Sequence, residues 1–358
     1  MPRPPERSAD PLYFVNGWLD AAMIGGLSIV VFMALRLFLD GQSRPPAGVD
    51  IAVALTVFIN YPHFSATVYR LYQSPANIRQ FPVTSLGVPI LILAAIAASI
   101  WQADSVAPYF ITLFLFWSPF HYSGQTIGIT LLYARRGKFN IGRWQRLALS
   151  AFVYATVLIS FTRRGNTSER FGVIIPVIEV PFWFKIAALA VMCAAALVFV
   201  YFMVVWALKE RRLPPPIIVL PALTQLVWFF PATGSKMFFE FIPTFHSLQY
   251  LYIAWAMQIG LKVNARAAGE RSRSVVNESL RWGVSNYVGG MLLFIALPWL
   301  FYWTSVPLAT SAGIVIAAVN IHHFFVDGVI WKLRNVSKTS PLLMNVHDWE
   351  AQPSPVPA

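Results

Sequence analysis

Histidine is the residue type whose positions in this sequence point most clearly to chemistry. Five of the six histidines lie in apolar stretches long enough to cross a membrane, at His63, His121, His246, His322 and His323. A histidine in such a stretch is energetically costly and usually faces the interior of a helix bundle. Neutral imidazole is also the commonest metal ligand among side chains, and histidines from separate helices can converge on one ion. These positions predict a metal site inside the bundle.

The second apolar stretch carries a polar stripe around its histidine. Its polar residues recur at steps of four, three, four and three, at Thr56, Asn60, His63, Thr67 and Arg70. This spacing places them on one face of a helix. In the fourth stretch, Ser118 and Gln125 flank His121 in the same way.

Polar side chains also follow the later histidines. Gln249 and Tyr250 stand one helical turn after His246. Asp327 stands one turn after His323. Amides and carboxylates can orient a metal-bound imidazole through its second ring nitrogen. We therefore expect four residues to surround the ligand histidines, namely Asn60, Gln125, Gln249 and Asp327.

Proline precedes three of the histidines by one to three residues, at Pro62, Pro119 and Pro243. Proline inside a helix removes a backbone hydrogen bond and bends the helix axis. In a membrane the freed carbonyls need protein or water around them. The prolines therefore predict a polar cavity beside the histidines.

The composition is that of a membrane protein. Of the 358 residues, 57% are hydrophobic and only 12% are charged, whereas a soluble domain has about 25% charged residues. Charge this sparse disfavours a soluble enzyme. The net charge of +12 comes from short basic clusters between apolar stretches, which is typical of membrane-protein loops and predicts no nucleic-acid partner. The single cysteine, Cys193, leaves no disulfide or thiolate metal site within one chain.

Stretches of about 20 apolar residues, the length needed to span a bilayer, recur ten times. They cover residues 17–39, 49–72, 82–101, 106–134, 144–162, 182–208, 216–232, 238–261, 285–303 and 306–331. They predict an all-α polytopic bundle in one domain, 17–331, between a polar N-terminal tail, 1–16, and a C-terminal tail, 332–358. His347, in the second tail, is expected to be ordinary surface. The seventh stretch is short and contains Pro221, so a re-entrant segment is the alternative there.

The basic residues predict the orientation of the bundle. With the N-terminus in the cytoplasm, 20 of the 27 lysines and arginines fall in inner segments and six in outer ones. Cytoplasmic loops carry such an excess. We therefore expect both termini to be cytoplasmic and the protein to be a multi-pass protein of a bacterial-type inner membrane.

Four short blocks contain the histidines of the bundle. They are Tyr61-Pro62-His63-Phe64, Phe120-His121-Tyr122-Ser123-Gly124, Phe245-His246-Ser247-Leu248-Gln249-Tyr250, and Ile321-His322-His323 followed by Asp327. Their order resembles that of the Brp/Blh-type membrane β-carotene dioxygenases, which show Pro-His, His-Phe-Gly, His-Ser-x-x-His and then Pro-His followed by Asp.

The resemblance implies a non-haem iron held by four imidazoles, from His63, His121, His246 and His322. The chain departs from the family in three of the blocks. No aspartate follows the first histidine, where Ala66 and Thr67 stand, and Gln125 or Thr126 stands in place of the aspartate after the second block. Tyr250 replaces the second histidine of the third block.

Two candidates remain for the ligand of the tenth stretch. The helical stripe that contains Asp327 favours His323. The resemblance favours His322, because Asp327 lies five residues after it. We keep both residues as candidates and prefer His322.

Together these patterns predict an integral-membrane, non-haem iron oxygenase that acts on a hydrophobic substrate such as a polyene, an isoprenoid or a lipid. Tyr250 is expected to donate a proton or hydrogen bond to bound oxygen, or to be a fifth ligand. Three alternatives stay open. They are a haem-binding electron-transfer protein, a transporter or channel with a histidine-lined cavity, and a scaffold in which the histidines only join helices.

Overall fold

The computed structural model describes residues 12–39, 51, 54–161, 169–176, 180–229, 236–267, 274–331, 340–343 and 345–346. Within them the chain is almost entirely helical. Eleven helices precede a short 3-10 helix, Ser340–Leu343: α1 (Gly17–Ala21, Ala22–Gly26 and Leu27–Leu39), α2 (Thr56–Asn60 and Tyr61–Tyr72), α3 (Pro75–Gln80), α4 (Val83–Gly87 and Val88–Trp101), α5 (Ala107–Arg136), α6 (Arg143–Phe161), α7 (Phe182–Glu210), α8 (Pro216–Phe229), α9 (Lys236–Ala267), α10 (Val275–Met291, Leu292–Ala296 and Leu297–Tyr302) and α11 (Leu308–Ile330).

Each of the ten predicted stretches coincides with one of these helices, and α3 is a short additional helix. The largest difference is at α10, which begins ten residues before the predicted start. Ser274 caps this helix, since its hydroxyl oxygen accepts a hydrogen bond from the backbone N–H of Asn277. A cap of this kind supports a helical turn before the apolar run begins.

Six helices are long and apolar enough to cross a membrane, which is consistent with a multi-pass membrane protein. They span Gly17–Leu37, Val83–Trp101, Arg143–Phe161, Phe182–Glu210, Val275–Tyr302 and Leu308–Ile330. The helices α2, α5 and α9 are not among the six, and each of them carries one of the clustered histidines. Their polar faces lower the hydropathy of the whole helix.

The histidine-bearing helices pack directly against their neighbours. α2 packs against α9, α10 and α11, and α5 packs against α8 and α11. The contact between α2 and α10 is very close, because a Cβ at Gly290 would lie 2.6 Å from the carbonyl carbon of Tyr61. Only glycine allows this approach.

A two-stranded antiparallel hairpin, β1 (Glu169–Arg170) and β2 (Val173–Ile174), packs against α5 and α11. At its turn Phe171 accepts a hydrogen bond from the Thr310 hydroxyl through its backbone carbonyl. Val173 is buried against the apolar side chains of the two helices.

The described parts of both chain tails dock on the bundle through Arg136. Its guanidinium donates hydrogen bonds to the backbone carbonyls of Leu12, Tyr13 and Leu342. It also lies 4.1 Å from the ring centroid of Phe14. One buried arginine at the end of α5 thus joins the segment before α1 to the segment after α11. His347 lies outside the described residues.

Candidate metal centre

Four histidines from four different helices meet inside the bundle. The Nε2 atom of His323 on α11 lies 2.9 Å from Nε2 of His63 on α2 and 2.9 Å from Nε2 of His121 on α5. His246 on α9 completes the group, because His63, His246 and His323 can each offer a ligand atom within 4.8 Å of the others. His63, His246 and His323 are almost fully buried.

A carboxylate joins the four imidazoles. One oxygen of Asp327, Oδ2, lies 3.3 Å from Nε2 of His323 and 3.7 Å from Nε2 of His121. The other oxygen accepts a hydrogen bond from the indole N–H of Trp331. His121, His323 and Asp327 therefore form a second group of possible ligands.

Both groups describe one site, because they share His323. The Nδ1 atom of His323 is 2.8 Å from the Thr67 hydroxyl, so Nε2 is the nitrogen left for an ion. Two nitrogens bound at right angles to one ion, at about 2.0–2.1 Å each, are roughly 3 Å apart. The observed separations of 2.9 Å fit that arrangement.

The surroundings of His246 also fit a ligand role. Neither ring nitrogen of His246 has a hydrogen-bond partner within the described part of the chain. A neutral imidazole has one donor and one acceptor nitrogen, and leaving a buried polar group unpaired costs about 1–3 kcal/mol. A bound ion would use the acceptor nitrogen. The donor set of imidazoles and one carboxylate suits iron, copper or zinc.

His322 lies away from this cluster. Its ring stacks on that of Tyr72 at 6.2 Å, and its Nε2 atom is 3.4 Å from the Tyr72 hydroxyl. Consecutive helical residues point about 100° apart, so His322 and His323 cannot face the same point. The groups of described residues that can share one ion contain His323 and not His322. The structure thus brings His323, the residue that the helical stripe favours, into the cluster, and it places the preferred candidate, His322, outside the cluster.

The predicted surrounding residues play different parts. Among the contacts of the described residues, Asp327 is the one of these four that lies close to an imidazole nitrogen of the cluster. Gln125 donates to the backbone carbonyl of His246 and to the side-chain oxygen of Gln249. Gln249 donates to the carbonyl of Ile24. These amides hold the backbone of α9 in place.

Asn60 is likewise bound to α9. Its side-chain oxygen accepts a hydrogen bond of 2.6 Å from the hydroxyl of Ser247, the residue that follows His246. Asn60 therefore links α2 to α9 beside the cluster.

Tyr250 lies at the edge of the cluster with its ring against His63, the two centroids being 4.3 Å apart. Its hydroxyl is 2.7 Å from that of Thr67 and also interacts with the Asp327 carboxylate. Thr67 was not among the predicted site residues. It does belong to the polar stripe of α2, which was the available signal, but a stripe alone does not reveal what each member contacts.

Two cavities lie at successive heights along α11 and meet the cluster. The larger, of about 420 Å³, is bounded by residues of the last two turns of that helix and by Trp331 just after it. The smaller, of about 110 Å³, is bounded by residues between 316 and 324. His121 lines both. Polar groups of the larger cavity come from His121, Gln125, Tyr154, Tyr250 and Asp327, and most of its wall is aromatic or aliphatic.

Three glycines keep the larger cavity open, at Gly124, Gly128 and Gly328. A Cβ added at any of them would meet no atom within 4 Å. These glycines are therefore not needed for close helix packing, and their small size leaves room beside the cluster.

Comparison of the chain with models of known protein families, with curated proteins and with solved structures finds no match. The likeness to the Brp/Blh-type dioxygenases stays a prediction from four sequence blocks. The function is therefore inferred from the residues of the site.

Proposed function

We propose that this chain is an integral-membrane, non-haem metal oxygenase, with iron as its metal, that acts on a hydrophobic small molecule. The observation that carries the proposal is the convergence of His63, His121, His246 and His323 beside Asp327, at the end of a largely apolar cavity. When bound there, iron would supply the activation of dioxygen.

The protein groups would perform the remaining tasks. The apolar wall, with Trp117, Phe120 and Phe324, would hold a hydrophobic substrate and exclude water. Tyr250 lies on the boundary between this cavity and the cluster, so its hydroxyl can donate a hydrogen bond to a group that reaches the cluster. A polyene, an isoprenoid or another lipid fits such a lining, and the membrane would supply it sideways.

The spacing of the imidazoles favours a bare ion over haem. Two axial ligands on opposite faces of a haem are about 4 Å apart, twice a metal–nitrogen distance of about 2 Å. The His63–His323 and His121–His323 pairs are both at 2.9 Å. Neither of these two pairs is therefore spaced like the two axial ligands of a haem.

We further infer that α1, α2 and α4–α11 make ten membrane crossings with both termini in the cytoplasm of a bacterial-type cell. The distribution of basic residues supports this arrangement. The shortest crossing is α8, whose 14 residues extend about 21 Å at 1.5 Å each.

Elemental analysis and an optical spectrum of the detergent-purified protein test the proposal. We expect about one iron per chain and no Soret band. Preparations with less than about a tenth of an equivalent of any transition metal, even after anaerobic reconstitution, would contradict the metal centre. A stoichiometric porphyrin would instead support the electron-transfer alternative.

A further inference from the structure

The hydroxyl of Thr67 contacts site residues from three helices. Thr67 is fully buried on α2, one turn after His63. Its Oγ1 atom lies 2.8 Å from Nδ1 of His323 on α11 and 2.7 Å from the hydroxyl of Tyr250 on α9. It is also 3.3 Å from the backbone carbonyl of His63.

The hydrogen-bonding capacity of a hydroxyl limits how these contacts can be made. A threonine hydroxyl has one proton to donate and can accept from other groups. Of the two oxygens near the Thr67 hydroxyl, that of Tyr250 is closer than the carbonyl of His63. If Thr67 donates its proton to Tyr250, its own oxygen can accept a hydrogen bond from the Nδ1–H of His323. A neutral imidazole protonated at Nδ1 carries no proton at Nε2. The Nε2 lone pair of His323 then points into the cluster.

Around that lone pair lie Nε2 of His63 and Nε2 of His121, each at 2.9 Å, and Oδ2 of Asp327 at 3.3 Å. When His63 and His121 are also protonated at Nδ1, all of these atoms are acceptors. Acceptors this close repel one another unless a cation lies among them. The tautomer that Thr67 favours is therefore the one that a metal ion requires.

We propose that Thr67 is a positioning residue for the metal centre. Its hydroxyl holds His323 in the tautomer that presents Nε2 to the ion, and it ties the Tyr250 hydroxyl to the same hydrogen-bond network. The inference rests on the proposed function, because it needs a metal in the cluster. Groups that orient a ligand histidine in this way contribute about 10–100-fold to metal affinity.

The test uses the full-length protein in detergent, with Co²⁺ as a spectroscopic probe and Fe²⁺ affinity measured against a competing chelator. Thr67→Val removes the hydroxyl at constant shape, and Thr67→Ser keeps it. Thr130→Val is the matched control, since Thr130 is also fully buried but its hydroxyl has no hydrogen-bond partner in the described part of the chain.

We expect Thr67→Val to weaken binding of both ions about 10–100-fold and to change the Co²⁺ ligand-field bands. Thr67→Ser should keep the wild-type bands, and Thr130→Val should bind like wild type. Melting temperatures show whether each variant is folded. If Thr67→Val does not fold, Thr67→Ala is measured in its place. If the folded variant that lacks the hydroxyl shows the affinity and the Co²⁺ bands of the wild type, the role of Thr67 is overturned but the metal centre is not. A wild-type protein that binds neither ion would overturn the metal centre itself.

Discussion

The Nε2 atoms of His63 and His323 lie 2.9 Å apart, although 260 positions separate the two residues in the chain. A small rotation of α2 or α11 would part them. Gly290 of α10 helps to fix this relationship, since its lack of a side chain lets α10 contact the backbone of α2 at Tyr61, two residues before His63. A helix without any histidine is thus part of the support of the cluster.

Alanine substitutions of the histidines should separate ligands from their neighbours. We expect His63→Ala, His121→Ala, His246→Ala and His323→Ala each to remove most of the bound metal, because each removes one coordinating nitrogen. His322→Ala is the matched control on the same helix as His323, and it should keep its metal. The measurement is the metal content per folded chain, which distinguishes ligand histidines from their neighbours. Loss of metal from His322→Ala with retention in His323→Ala would reverse the assignment.

Asp327→Asn should weaken metal binding while leaving the fold intact. The change removes the carboxylate beside His323 and His121, but it keeps an oxygen that can accept a hydrogen bond from the indole N–H of Trp331. We expect a loss in affinity of about 10–100-fold, measured by chelator competition. Trp331→Phe, which removes the indole donor and part of the ring but keeps the Asp327 carboxylate, should have the smaller effect on affinity. The opposite order would show that Asp327 serves mainly to hold Trp331.

Filling the larger cavity should block turnover without emptying the metal site. Gly128→Leu places a side chain in the open space beside α5. We expect at least a tenfold loss of oxygen consumption with an accepted polyene or isoprenoid substrate, at unchanged metal content. Gly283→Leu is the control, because Gly283 also has open space around it but does not line the cavity. Equal activity of the two variants would place substrate binding elsewhere.

The direction in which α8 crosses can be tested with single cysteines in a Cys193→Ser background. With ten crossings, a cysteine at Leu213, before α8, is cytoplasmic, and one at Thr304, between α10 and α11, is external. An impermeant thiol reagent should label Thr304→Cys in intact cells and Leu213→Cys only after the membrane is opened. If α8 does not cross, both positions would behave alike.

Helical periodicity accounts for what the sequence could predict about the site. It brings polar residues to one face of each helix, so the meeting of histidines from α2, α5, α9 and α11 could be predicted from their places in four apolar stretches. Helical periodicity also favoured His323 as the ligand of the tenth stretch, whereas the resemblance to the dioxygenases favoured His322. The rotation of each helix against its neighbours decides between adjacent residues, and that depends on packing across the whole bundle.

Long-range contacts explain what sequence reasoning missed. Gln125 and Gln249 bind backbone carbonyls of α9 and α1, partners that no local spacing reveals. Thr67 acts on residues of α9 and α11 for the same reason. The two tails were predicted only as segments outside the bundle. Arg136 lies too far along the sequence from Leu12 and Leu342 for its contacts with them to be foreseen.

Leu342 lines the larger cavity and follows α11, so the ribosome makes it after all four helices that carry the clustered histidines. Leu342 is held there by Arg136, which donates a hydrogen bond to its carbonyl. Of the residues that line this cavity, Leu342 is therefore the last to be added during synthesis, and its part of the wall depends on a segment outside the histidine-bearing helices.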